Sequence, residues 1–257
     1  SSTTAKLESP VEATYVGNPD SWDWQLYEAY QVREVFSRWH EFDVINCHSY
    51  YFGLLFADMV PIPSVHSFHI DPGPDYHFLA QRTRNSHLHF CSHYQARDFT
   101  GLPNLKVIPH GIDLSAFSLS TNAASEPYLA WIGRFHPEKG VLTAVEIARQ
   151  CNMPIRLAGP DNPYLREVVM PAAGETAVYV GEVSGADKTA FLSNAHALLY
   201  PIERGEAFGL VLIEAMACGL PVIALRAGAV PEIIDPGQTG FIADTPDEMI
   251  SYLAKCS

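Results

Sequence analysis

From Tyr128 onward the chain alternates between short apolar runs and longer segments whose apolar residues recur at helical spacing. The apolar runs are Tyr128–Ile132, Ile155–Ala158, Ala177–Val180, Ala197–Tyr200, Val222–Leu225 and Gly240–Ala243. Each is almost wholly apolar, as expected of strands covered on both faces. Between and after them, Val141–Gln150, Tyr164–Met170, Asp187–Asn194, Gly209–Cys218, Val230–Ile234 and Asp247–Cys256 read as helices. Such alternation predicts an α/β unit with a doubly wound parallel sheet. The first half is a weaker version of the same pattern. Leu26–Trp39 reads as an amphipathic helix, and Asp43–Asn46, Ser64–Ser67, His87–Cys91 and Lys106–Ile108 read as strands. Pro109-His110-Gly111 then interrupts the pattern, and Ser115–Glu126 is small and polar. These signals place a first lobe at 1–112, a linker at 113–126 and a second lobe at 127–257.

Composition narrows the partners. Of 257 residues, 29 are acidic and 16 basic, for a net charge of -13. Acidic residues outnumber basic ones on both sides of Ile112. A global basic field is therefore missing, which argues against a nucleic-acid partner and against stable membrane association. Five cysteines, an uneven number with no C-x-x-C spacing, read as buried, reduced thiols. With no signal peptide opening the chain and no apolar run long enough to span a bilayer, the expected setting is cytoplasmic. His87, His89, Cys91 and His93 alternate and would share one face of a strand. Four neighbours on one strand diverge too little to wrap a tetrahedral ion, so no metal site is expected there.

Candidate chemistry concentrates in Glu206-Ala207-Phe208-Gly209-Leu210-Val211-Leu212-Ile213-Glu214. Glu206 falls in a loop and Glu214 inside the helix that starts near Phe208 and Gly209. Gly209 lets a ligand approach the backbone, and the free N–H groups of a first helical turn can face an anion or a sugar oxygen. Glu214 can reach a second polar group such as a ribose diol, because a carboxylate accepts two hydrogen bonds at once. Taken alone, the two glutamates read as a helix cap and a solvated side chain. Their context reverses that.

The glutamate pair is followed by Ala215-Met216-Ala217-Cys218-Gly219-Leu220-Pro221-Val222, then by Gly228, Pro231-Glu232-Ile233-Ile234 and Gly237-Gln238-Thr239-Gly240-Phe241. This run resembles the retaining glycosyltransferases of family 4, glycosyl transferases group 1, which have the GT-B fold. One departure is Ala207, where many members carry proline. Gly133-Arg134-Phe135-His136-Pro137-Glu138-Lys139-Gly140 resembles the family's Gly-Arg-x-x-x-x-Lys-Gly loop. Following a strand and opening a helix, it sets Arg134 and Lys139 as two cations for a diphosphate. Gly181-Glu182-Val183 matches the segment where members contact the base, near Val183. Val107-Ile108-Pro109-His110-Gly111-Ile112-Asp113 resembles the interlobe motif, and Pro63-Ser64-Val65-His66-Ser67-Phe68-His69 the segment ending in a sugar-contacting histidine, here His69.

The resemblance implies two Rossmann-like doubly wound lobes with a cleft between them. It implies a nucleoside-diphosphate sugar as donor substrate, with no cofactor or metal, an acceptor hydroxyl, and hexose transfer with retention. Glu206, Arg134, Lys139 and His69 are the expected catalytic residues. Gly133, Val183, Phe208, Gly209, Leu210 and Glu214 are the expected donor contacts. Measured against the family, the chain is expected to enter after the first βαβ portion, leaving the first lobe incomplete, and to stop before the terminal helices. Two other readings stay open: a non-catalytic sugar-nucleotide-binding module, and a GT-B-like sugar-nucleotide epimerase, against which the Ala-Met-Ala-Cys-Gly run argues.

Overall fold

The computed structural model describes residues 23–119 and 127–256. Residues 120–126 of the expected linker therefore lie outside the described residues. Two compact units form: one from residues up to Cys91 together with Ala96–Ile108, the other from Ser92–Gln95 and the chain from Pro109 on.

The first unit is built on a parallel sheet in sequence order, β1 (Ile45–Cys47), β2 (Ser64–Ser67), β3 (Ser86–Phe90) and β4 (Leu105–Val107). Helix α1 (Trp24–Ser37) starts where the Asp23 side chain accepts a hydrogen bond from the Gln25 N–H at 3.0 Å. It buries Val32 and Phe36, four residues apart on one face, against Ile45, Cys47 and Val60. Short helices α2 (Phe52–Phe56) and α3 (Pro74–Ala80) follow. Leu54, Phe68, Leu88, Phe90 and Phe99 form the second cluster of this unit, with Phe68 and Phe90 stacked at 4.9 Å. On β3, Leu88 and Phe90 turn inward while His87 is exposed and His89 only half-buried. The strand ends at Phe90, so Cys91 and His93 do not continue its face: Cys91 is buried and His93 opens the short helix α4 (His93–Ala96). Both ring nitrogens of His89 are used locally, at 3.0 Å from Ser67 Oγ and 2.9 Å from the Ile108 carbonyl.

His66, within the expected Pro63–His69 segment, is a buried core histidine. Its Nε2 lies 2.8 Å from Ser64 Oγ, while Nδ1 has no partner among the described residues and is covered by Gly53, where an added Cβ would stand 2.7 Å from it. Burial, helped by His87, pushes its pKa down from 6.5 to about 4. A histidine buried neutral contributes stability that is present above its unfolded pKa and is lost as pH falls toward its folded one. The unit is therefore expected to lose stability between pH 6.5 and about 4. In urea titrations at pH 7 and pH 5, His66→Gln should shrink that difference, and an unchanged difference would remove His66 as its source.

The second unit carries a six-stranded parallel sheet. Its strands are β5 (Leu129–Ile132), β6 (Ile155–Ala158), β7 (Ala177–Gly181), β8 (Ala197–Tyr200), β9 (Val222–Leu225) and β10 (Gly240–Ala243). Their spatial order is β10-β9-β8-β5-β6-β7, the Rossmann order read from the other edge. Leu129 and Trp131 face one side, packing on α5 (Val141–Gln150), on α6 (Met170–Ala173) and its preceding turn, and on α10 (Pro246–Leu253). Ala130, Leu198, Val222 and Ala224 face the other side, toward α7 (Gly185–Ser193), α8 (Leu210–Ala217) and α9 (Val230–Ile233). The helix expected at Tyr164–Met170 forms, but with Leu165–Val169 wound as a π-turn that runs into α6. Pro171 explains the change, since it has no N–H to continue the α-helical ladder.

Strands β5 and β8 exchange only two residue pairs, Leu129 with Ala197 and Ala130 with Leu198, whereas β5 and β6 exchange four. Beyond Ala130 and Leu198 the two strands diverge toward their carboxyl ends. This is the point where the strand order reverses, and open α/β sheets bind ligands in such a crevice.

Among the described residues no helix is long and apolar enough to cross a membrane. Among the described residues the five cysteines form no disulfide, and Cys47, Cys91 and Cys218 are buried.

Candidate functional site

The loops leaving β5 and β8 meet at this reversal. The Glu203 N–H donates to the Glu138 carbonyl at 3.1 Å, tying one loop to the other. From the first loop, Lys139 Nζ reaches Glu206 Oε2 in the second at 2.7 Å. Tyr200, the last residue of β8, donates its hydroxyl to the same oxygen at 2.7 Å. Burial pushes the Glu206 pKa up, but the hydrogen bonds from Lys139 and Tyr200 and the charge of Lys139 outweigh it, and the carboxyl is held below its ordinary value. Glu206 is therefore a fixed carboxylate, and Tyr200, buried beside that charge, is held protonated.

Arg134 sits one residue past Gly133, exposed and without an ion-pair partner among the described residues. The two expected cations thus differ: Lys139 is matched by Glu206, and Arg134 keeps its charge uncompensated.

Helix α8 begins at Gly209, in the left-handed conformation at φ 93°. The first amide to bond back is Leu212, to the Gly209 carbonyl at 3.0 Å, so the amides of Gly209, Leu210 and Val211 precede the intrahelical ladder. Phe208 is buried, with its ring edge-on to His110 at 5.1 Å, while Leu210 is exposed. Val183 is half-buried against the core face that packs on α7, α8 and α9. Glu214, in the second turn of α8, is paired with Lys188 of α7 at 2.9 Å.

The loop carrying Glu206 is braced from two directions. Ser92 Oγ donates to the Ala207 carbonyl at 2.5 Å, and Tyr94 lies against Gly205. Glu232 in turn accepts the His93 and Tyr94 N–H groups at 2.7 and 2.6 Å, a carboxylate at a helix start. On the far side, the Ala229 N–H donates to the Glu206 carbonyl at 2.9 Å. His69 belongs to the first unit, where its Nε2 lies 2.7 Å from His48 Nδ1 and the two rings stack at 5.0 Å.

Sequence reasoning missed Tyr200 and Lys188. Tyr200 showed only as the end of an apolar strand, and its hydroxyl was the available signal. Lys188 is the one cation in Gly185–Ser193, which marks it in an acidic chain but does not name its partner. The bracing by Ser92, Tyr94 and Glu232 joins residues some 115 to 139 positions apart and leaves no local signature.

A Rossmann-ordered sheet with cation-bearing loops, a fixed carboxylate and an open helix start at its reversal point defines an open, doubly wound class of α/β protein. The model of the family Glycosyl transferases group 1 matches residues 126–256, just over half of the chain, and the chain belongs to that family. A curated relative, the sulfoquinovosyl transferase SQD2 of Arabidopsis thaliana, is 29% identical over 163 residues, covering 58% of this chain and 32% of that protein. The phosphatidyl-myo-inositol mannosyltransferase of Mycobacterium leprae is 29% identical over 150 residues, 54% of this chain and 40% of that one. The chain thus spans about a third to two fifths of the length of these relatives. Among solved structures, sucrose-phosphate synthase from Thermosynechococcus elongatus aligns with a TM-score of 0.77 at 20% identity, over 93% of this chain and 71% of that one. HepE from Anabaena, solved in complex with UDP, aligns at 0.76 and 21%, over 90% and 73%. These likenesses establish the fold, two Rossmann-like lobes of the GT-B type.

Proposed function

We propose that this chain acts as a retaining glycosyltransferase, moving a hexose from a nucleoside-diphosphate sugar to an acceptor hydroxyl. The observation that carries this reading is the Lys139–Glu206–Tyr200 cluster beside the open start of α8, at the reversal point of the sheet. HepE, a structural neighbour, is described with UDP and with UDP-glucose, which supports a sugar nucleotide as the ligand. In this reading Arg134 and Lys139 stabilise the charge that develops on the departing diphosphate. The Gly209 and Leu210 amides and Glu206 hold the sugar, with Phe208 and Gly133 shaping the approach. Val183 flanks the base and Glu214 takes the ribose. The acceptor attacks on the face from which the diphosphate leaves, and the anomeric configuration is kept. The role of His69 as a sugar contact rests on the family resemblance alone.

A thermal-shift screen of nucleoside-diphosphate sugars tests the reading. A matching donor at 100 times its Kd is expected to stabilise the protein by about 2.7 kcal/mol. Arg134→Ala and Glu214→Ala should each diminish that shift. Stabilisation that survives both substitutions would sink the site assignment, and NMR of the product's anomeric proton would decide retention. Saturable binding with neither hydrolysis nor transfer would favour the binding-module reading instead.

A further inference from the structure

The two carboxylates of the site are each matched by a lysine. Lys139 holds Glu206 at 2.7 Å, and Lys188 holds Glu214 at 2.9 Å. The family resemblance accounts for the first pair's residues and says nothing of Lys188. Its placement is specific. Lys188 stands in the first turn of α7, which crosses from β7 at the sheet edge to β8 at the reversal point. The next residue, Thr189, pins that turn by donating its hydroxyl to the Ala116 carbonyl at 3.0 Å. The Lys188 and Glu214 side chains are largely covered, at 26% and 13% exposure, so the pair is not a loose surface contact.

The geometry leaves a defined set of free valences. Lys188 engages Glu214 Oε1, and Oε2 has no partner among the described residues. An ammonium carries three donors, of which this bond uses one. An open carboxylate oxygen therefore stands beside a donor-bearing nitrogen, both fixed by the same ion pair. A vicinal diol matches that arrangement, since each hydroxyl can donate to one group and accept from another. The lysine also cancels the charge of Glu214, which would otherwise repel an incoming diphosphate.

We propose that Lys188 and Glu214 act as one unit that reads the 2′,3′-diol of the donor's ribose, with Lys188 a specificity-determining residue. Glu214 Oε2 accepts from one hydroxyl and Lys188 Nζ donates to its neighbour. This rests on the reading that Glu214 faces the ribose, and it adds that Glu214 depends on Lys188 to do so.

The test is calorimetric titration of UDP and GDP, each beside its 2′-deoxy counterpart, on the wild type, Lys188→Met, Lys188→Arg and Glu214→Gln. The wild type is expected to prefer the ribonucleotide by roughly 10-fold or more, the worth of one hydrogen bond to a charged group. Lys188→Met should bring that ratio to within about 2-fold by weakening the ribonucleotide. Lys188→Arg, which keeps the charge and a donor, should restore part of it. A merely structural role would weaken both nucleotides equally and leave the ratio intact, and that result overturns the proposal. Should Lys188→Met fail to fold, Lys188→Ala, which also removes the donor, gives the same reading. If Glu214→Gln lowers the ratio and the lysine variants do not, Glu214 reads the ribose alone and only the role of Lys188 falls. If none of the variants moves the ratio, or the wild type shows no preference, the ribose assignment of Glu214 falls with it.

Discussion

Replacing Glu206 with alanine is expected to destabilise the second unit by about 3 kcal/mol and to lower transfer at least about 100-fold. The stability loss follows from what the carboxylate leaves behind. Lys139 loses its partner while largely covered, and the Tyr200 hydroxyl, buried at the end of β8, loses its acceptor. Removing one member of such a pair costs more than the pair contributes, because the remaining charge stays desolvated. For a unit of this size the loss is on the order of a 10 °C fall in Tm. Lys139→Ala added to Glu206→Ala should recover part of it by removing the stranded charge, and a double variant no more stable than the single one would contradict the account. Acid provides an independent check. A carboxyl held below its ordinary pKa of 4.5 contributes stability that is present above that pH and is lost as the pH falls below it. Glu206→Gln, which cannot titrate, should flatten that acid limb in denaturant melts.

Gly228→Ala is expected to act on the same loop from the other side, at a cost of about 2–4 kcal/mol. Gly228 lies at φ 54°, and an added Cβ would stand 2.2 Å from the Glu206 nitrogen and 2.3 Å from its carbonyl oxygen. Neither atom can swing aside as a side-chain tip would. The Glu206 carbonyl is held by the Ala229 N–H, and its carboxylate by Lys139 and Tyr200. The loop must therefore move as a body, which pulls Glu206 away from Lys139 and disturbs the start of α8. Donor affinity should fall together with Tm. Gly237→Ala is the control: it also sits at positive φ, 82°, but in open space. If the two variants lose equal stability, the contact with Glu206 is not what holds the loop.

Much of the second unit is legible in the sequence because its strands are covered on both faces. Ile155–Ala158, Ala197–Tyr200, Val222–Leu225 and Gly240–Ala243 are delimited by their apolar runs alone, and the structure gives them the same bounds. In the first unit the strands are three to five residues long, and β1, β3 and β4 each carry an exposed residue that breaks the apolar run. The expected Asp43–Asn46 lies instead at Ile45–Cys47, and His87–Cys91 begins and ends a residue early. Pro171 was visible, but its effect on the preceding turn depends on which carbonyls it leaves unpaired. At the site, glycines and charges at fixed offsets carry a local signal, so Gly133, Arg134, Lys139, Glu206, Gly209 and Glu214 could be named. Lys188, Tyr200 and Glu232 act through partners distant in sequence, and only the folded chain supplies those partners.

The short pairing of β5 with β8 has a mechanical consequence. The six-stranded sheet is two three-stranded leaves sharing a seam two residue pairs long. Arg134 and Lys139 extend from one leaf, and Glu206 and the start of α8 from the other. A ligand held by both sets of groups is a rivet across that seam. It adds to the ties already made across the seam by the Lys139–Glu206 ion pair and the hydrogen bond from the Glu203 N–H to the Glu138 carbonyl.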